Sequence, residues 1–245
     1  VYAAGLVIRD LPRLASNWRS TQDLSAYLRE QNVVAIADID TRKLTRILRE
    51  KGAQDGCVMA GKINEPAALK AARDFPGLAG MDLAKVVSCE KSYEWTDACW
   101  SLGKGYGRQT APRFHVVAFD FGVKRNILRL VAGVGADITV LPANATLDDV
   151  LRTNPHGVIL TNGPGDPAAA PYAADTVREL VGKVPLFGVC MGHQILALAM
   201  GAKTYKLKFG HRGGNQPVLH EDTQRVEITS QNHGFAVDTK SLDPD

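Results

Sequence analysis

The chain has 245 residues, of which 45% are apolar and 22% charged, a balance that excludes a disordered polypeptide and allows a sizeable core. A formal charge of +3 argues against nucleic acid or an anionic membrane as partner, and no apolar run approaches the ~20 residues of a membrane helix. Four cysteines, Cys57, Cys89, Cys99 and Cys190, form no C-x-x-C pair, so no metal site is expected and a reducing compartment, the cytoplasm, is.

The opening V-Y-A-A-G-L-V-I-R-D lacks a basic segment ahead of a long apolar core, so it does not read as a secretion signal. Val1 is not a methionine and the last residues are S-L-D-P-D, so the chain reads as a piece of a longer polypeptide. In the first half, D-L-S-A-Y-L-R-E-Q predicts a short helix and V-V-A-I-A-D-I a buried strand. D-T-R-K-L-T-R-I-L-R-E-K-G predicts a helix capped by Asp40 or Thr41 and stopped at Gly52, with Leu44, Ile47 and Leu48 on its apolar stripe. Its Arg42, Lys43, Arg46, Arg49 and Lys51 read as a solvated basic face. The Gly-rich stretch L-G-K-G-Y-G-R-Q-T-A-P predicts a linker over residues 101–113, between a domain at 1–106 and another at 113–245.

From there apolar strands alternate with helices. F-H-V-V-A-F-D-F-G, A-D-I-T-V-L-P, G-V-I-L-T-N-G-P-G-D-P and P-L-F-G-V-C-M-G each end a strand, and a helical pattern follows each. Thr146 and Asp149 suit a capping box at the second of these helices. The fold class is therefore α/β, an N-terminal mixed α/β domain followed by a mostly parallel sheet covered on both faces. Beyond Ala202 the pattern turns β-rich, and His211 and His220, in the polar F-G-H-R-G-G-N-Q-P and V-L-H-E-D turns, have no obvious role. Ligands of such sheets bind outside the carboxyl ends of the strands, which singles out three loops: F-D-F-G-V-K-R, T-N-G-P-G-D-P and G-V-C-M-G-H-Q.

G-V-C-M-G has the Gly-x-nucleophile-x-Gly form of a strand-to-helix elbow. Its glycines relieve clashes around a strained central residue, and the helix N-terminus behind it favours a thiolate. The Met191 amide would then face a developing oxyanion. The competing reading is a buried thiol beside a tight turn, and the pentapeptide alone leaves both open. Two glycines in T-N-G-P-G-D-P, Gly163 and Gly165, would bring bare backbone up to the same place.

Together, G-V-C-M-G-H-Q, T-N-G-P-G-D-P and S-Q-N-H-G-F-A-V-D resemble the triad-type, class I glutamine amidotransferases. G-L-V-I-R-D, A-D-I-D-T-R-K-L-T-R, F-P-G-L-A-G-M-D-L-A and F-D-F-G-V-K-R-N-I-L-R extend the resemblance to the small-chain family of carbamoyl-phosphate synthase. The resemblance implies that Cys190 attacks the side-chain amide of L-glutamine, with Gly163 and Met191 amides at the oxyanion. It also implies that Gly165, Gln194, Asn232, Gly234 and Phe235 hold the substrate. No cofactor is implied in this chain. Ammonia would pass to a large-subunit partner in a heterodimer, which makes carbamoyl phosphate from bicarbonate and ATP for pyrimidine and arginine synthesis.

One departure bears on activity. The family carries the histidine and glutamate partners of the cysteine in an H-P-E-type motif downstream of Q-N-H-G, and none of the six histidines here precedes a glutamate in that way. The serine that the family's opening segment adds to the site also lacks a counterpart. His233 is expected to shape the site rather than serve as base, and the chain alone to be a poor glutaminase. A non-catalytic scaffold that binds the large chain is the alternative.

Overall fold

The computed structural model describes residues 3–242, which fall into two compact units that divide between Gly77 and Leu78. In the first unit, strand β1 (Gly5–Val7) pairs in parallel with β2 (Val34–Ile36) across helix α1 (Leu24–Glu30). Helix α2 (Thr41–Lys51) starts where the Asp40 carboxylate accepts the Lys43 N–H at 2.9 Å, and it stops at Gly52 with φ 94°. Both ends are where cap and glycine place them, since only the left-handed glycine lets the chain leave the helix so sharply. Helix α3 (Glu65–Asp74) is capped in the same manner by Asn64.

The second unit opens with helix α4 (Leu83–Val87) and strand β3 (Tyr93–Trp95), followed by the hairpin of β4 (Asp97–Ser101) and β5 (Gly105–Arg108). The first part of the Gly-rich stretch expected to be a linker is thus the turn and second strand of that hairpin, with Gly103 and Gly105 at φ 77° and 74°. It is anchored rather than free. The Arg129 guanidinium lies 3.9 Å from the Tyr106 ring centroid, and Gln109 Nε2 donates to the Ala132 carbonyl at 2.8 Å. Glycines that look like linker punctuation here serve a tight reversal, and the compact unit begins at Leu78.

Behind the hairpin come β6 (Phe114–Asp120), α5 (Arg125–Gly133), β7 (Ala136–Pro142), α6 (Leu147–Leu151), β8 (Gly157–Leu160), α7 (Pro171–Leu180), β9 (Leu186–Gly188) and α8 (Met191–Ala199). They build a five-stranded sheet in the order β3-β7-β6-β8-β9, parallel except for the edge strand β3. Alternate residues of β6 divide the core. Val117 and Phe119 pack with α7 and α8 residues Val177, Leu180 and Ile195, while Ala118 packs with Leu128 and Ala132 of α5. That two-sided burial is why the strands read as unbroken apolar runs. The α6 capping box forms reciprocally between Thr146 and Asp149. Its hydrogen bonds, led by the Thr146 N–H, hold the Asp149 carboxyl below the usual carboxylate range.

The β-rich tail is one long antiparallel hairpin of β10 (Lys203–His220) and β11 (Arg225–Asp238). No helix among the described residues is long and apolar enough to cross a membrane.

Candidate active site

The elbow exists, and its glycines explain it. Cys190 stands between β9 and α8 with φ 54° and ψ −107°, a left-handed backbone that a residue with a side chain takes at a cost. A Cβ on Gly192 would lie 2.0 Å from the Leu160 carbonyl oxygen, and one on Gly188 2.6 Å from the His193 nitrogen. Neither position tolerates a side chain. The backbone is tied at the same point, because Val189 N–H donates to Leu160 O at 2.8 Å and Gly192 N–H to Thr161 O at 3.0 Å.

The loop after β8 meets the elbow as the sequence suggests. A Cβ on Gly163 would fall 2.2 Å from Phe121 O and 2.8 Å from Met191 Sδ. Gly165, at φ 93°, sits against Met81 O and the Leu83 backbone, where a Cβ would come within 2.6 Å. Asn162 locks this loop to the one after β6: its Oδ1 accepts the Lys124 N–H at 2.9 Å and its Nδ2 donates to Gly122 O at 3.1 Å. Asp166 reaches the other way, accepting the Gly80 N–H at 2.9 Å. Asp120, buried at the end of β6, accepts the amides of Cys89, Gly122 and Val123 at 2.8–2.9 Å, which shapes the first loop.

Together these loops and β11 enclose a cavity of about 520 Å³. Gly163, Gly165, Cys190, Gln194, Asn232, His233, Gly234 and Phe235 all line it, so the structure brings eight of the nine expected residues to one wall. Met191 lies beneath it, fully buried, with its amide turned to the cysteine sulfur. Gln194 is buried and spends its Nε2 donor on the Phe235 carbonyl at 2.6 Å, tying α8 to β11. Asn232 faces the sulfur through its carbonyl oxygen, which accepts the Cys190 thiol at 3.9 Å. Lys124, Arg212 and Leu78 also line the cavity. The motif reading passed over them; Lys124 was legible as the polar end of F-D-F-G-V-K, while Leu78 arrives only through tertiary contact.

His233 does not serve the thiol. Its Nδ1 lies 2.6 Å from Phe235 O and its Nε2 3.1 Å from Gln231 Oε1, so both ring nitrogens are engaged, and its ring packs edge-on against His211 at 4.9 Å. Nor does the helix dipole carry the thiolate alone. Burial pushes the Cys190 thiol up, outweighing the single N–H of Met191 that pulls it down. The helix N-terminus thus acts in the expected direction through the Met191 amide, but the solvation lost in a half-buried pocket is the larger effect.

A chemical consequence follows. Alkylation of Cys190 by iodoacetamide in this chain is expected to be slow at pH 7 and to keep rising beyond the ordinary thiol value of ~8.5. Cys57, which is exposed, is expected to react first. Peptide mapping by mass spectrometry reads both rates, and Cys190 reacting as fast as Cys57 at pH 7 would show a thiolate instead.

The family comparison fits this geometry. A model of glutamine amidotransferase class-I matches residues 117–245, and a model of the carbamoyl-phosphate synthase small chain, CPSase domain, matches residues 1–58. The chain is 59% identical over 243 residues to the carbamoyl phosphate synthase small chain of Ralstonia nicotianae, covering 99% of this chain and 64% of that protein. It is 56% identical over 247 residues to the protein of the same name from Escherichia coli, covering 99% and 65%. It therefore spans just under two thirds of the length of these curated relatives. A solved glutamine amidotransferase from Methylobacillus flagellatus overlaps 55% of this chain and 59% of its own at 18% identity and TM-score 0.39, too loosely to weigh beside the sequence match. With the cysteine elbow, the glycine loop and β11 gathered on one wall, and more than half its length matched by the family model, this chain belongs to the class I glutamine amidotransferases.

Proposed function

We propose that this chain is the glutamine-hydrolysing part of a carbamoyl-phosphate synthase small subunit. The observation that carries the reading is Cys190 itself: a thiol in a strained elbow, at the wall of a cavity large enough for an amino acid. The sulfur attacks the side-chain carbonyl carbon of glutamine, forming a C–S bond and an oxyanion that the Gly163 and Met191 amides receive. The C–N bond then breaks, the nitrogen leaves with an added proton as ammonia, and water later cleaves the γ-glutamyl thioester to glutamate. Gly165, Gln194, Asn232, Gly234 and Phe235 form the surrounding wall, and none of these steps needs a cofactor. The ammonia goes to a large subunit that carries the ATP-dependent chemistry.

Two features define what else the reaction requires. The raised thiol needs a base, and His233, with both ring nitrogens engaged by Phe235 O and Gln231 Oε1, does not supply it. In this reading the base is the histidine of the H-P-E-type motif that the family carries downstream of Q-N-H-G.

Covalent trapping tests the reading. Full-length protein mixed with glutamine and quenched in acid is expected to carry a glutamyl adduct on the Cys190 peptide, absent without glutamine. An adduct on another residue, or turnover with no adduct, removes Cys190 as nucleophile and leaves the non-catalytic scaffold.

A further inference from the structure

The stretch F-G-H-R-G-G, Phe209 to Gly214, has no part in the steps above, yet its backbone is unusual. Gly210 has φ 82° and Gly213 φ 129°, and a Cβ on Gly210 would fall 2.5 Å from the His233 carbonyl oxygen. At both glycines β10 slips register against β11, between Lys206 and His211 and again between Gly213 and Gln216. Such irregularities re-aim side chains beside sites. Between the two slips only three residues pair, and the central pair is Arg212 with Asn232.

That placement brings Arg212 to the wall of the Cys190 cavity. Its Nη1 donates to Asn232 Oδ1, and its backbone carbonyl is held by Gln216 Nε2 at 2.9 Å. Its Nη2 is 3.6 Å from where a Gly234 side chain would begin, so the guanidinium lies along a strip of bare backbone. The chemistry of the pair is one-sided. A guanidinium carries donors only, whereas a carboxamide has an acceptor end and a donor end of nearly equal size. Arg212 can therefore hold Asn232 in one orientation alone, with the oxygen turned to the guanidinium and the NH₂ group left for other acceptors. Asn232 is also the residue whose main-chain oxygen receives the Cys190 thiol. Among the described residues the cavity wall carries two cations, Lys124 and Arg212, and no carboxylate, which suits a ligand with an acidic group.

We propose that Arg212 is a positioning residue for the substrate: it sets the Asn232 carboxamide so that its NH₂ donates to the glutamine, and G-H-R-G-G is the bulged frame that delivers the guanidinium. This rests on the glutaminase reading above. The residue acts through Asn232 and does not touch the reacting atoms.

Steady-state glutaminase kinetics on the full-length chain with its synthetase partner test it. Arg212→Met keeps the stem and removes the donors; KM for glutamine is expected to rise about tenfold with kcat changed less than about twofold. Arg212→Lys, which keeps one donor, is expected to recover part of the loss. Asn232→Ala should raise KM by a similar factor, and the double variant should be no worse than Asn232→Ala alone. Additive losses would mean that Arg212 binds the ligand directly, and an unchanged KM in Arg212→Met would mean that it holds nothing of consequence; either overturns the proposal. A parallel loss of kcat and melting temperature would mark a merely structural role and overturn it too. Cys190→Ser in the same assay keeps the two readings apart. If it stays active the glutaminase assignment fails, whereas if it is dead while Arg212→Met is normal only the present inference fails.

Discussion

Replacing Cys190 with serine in the full-length protein is expected to lower glutamine-dependent synthesis of carbamoyl phosphate by at least ~10⁴-fold, while synthesis from free ammonia stays within about twofold. The size of the loss follows from the elbow. On the proposed mechanism three features around position 190 suit an attacking atom: the left-handed backbone, the Met191 amide turned to the sulfur, and the bare edges at Gly163 and Gly192. Serine fits the same space but is a far weaker nucleophile at neutral pH, so the pocket stays formed and only the chemistry is lost. The ammonia-dependent control matters because a misfolded small subunit would damage both activities. Equal loss of the two would remove Cys190 from the chemistry and make it a packing residue.

Gly192→Ala is expected to destabilise the second unit by about 3 kcal/mol, lowering its melting temperature by about 10 °C. The added methyl would sit 2.0 Å from the Leu160 carbonyl oxygen and 2.4 Å from its carbonyl carbon. Leu160 is fully buried in β8, hydrogen-bonded to Val189 and packed into the core, so it has nowhere to retreat. Relief must come from α8 lifting off the sheet, and that displaces the elbow. Gly214→Ala is the matched control, since nothing lies within 4 Å of its Cβ position; its stability is expected to change by less than ~0.5 kcal/mol. Thermal unfolding followed by circular dichroism distinguishes the two. Gly192→Ala melting with the parent protein would mean that the strand-to-helix junction is looser than its close contacts imply.

Legibility in the sequence varied with how local the cause was. The α2 ends were legible because Asp40 and Gly52 act within one turn of themselves. The parallel strands were legible because burial on both faces leaves few polar positions in β6, β7 and β8. The elbow was legible because its glycines answer clashes a few residues away in the chain or at the neighbouring strand end. The supposed linker was not. L-G-K-G-Y-G suits a free segment or a tight hairpin equally, and what decides is Arg129 against Tyr106 and Gln109 on Ala132, contacts more than 20 residues apart.

The solvation of Cys190 was out of reach for a related reason. A helix N-terminus is visible in the sequence, but the burial of the thiol is not, and that burial outweighs one amide. Gln194, which the resemblance assigns to the substrate, also donates its amide nitrogen to Phe235 O, a tie between α8 and β11 that the sequence does not show. Arg212 is the furthest case. Nothing in G-H-R-G-G says which way the arginine points, because the register of β10 on β11 is set by the two slips at Gly210 and Gly213.

By itself, then, the amino-acid sequence determined the α/β class, the alternation of strands and helices along the chain, and the cysteine between glycines, all consequences of short-range sterics and of periodic burial. Only the tertiary structure decided where the second unit begins, how Cys190 is solvated, and that Arg212 stands opposite Asn232. Those depend on distant segments meeting, and the energy of such meetings is written in no single stretch of the chain.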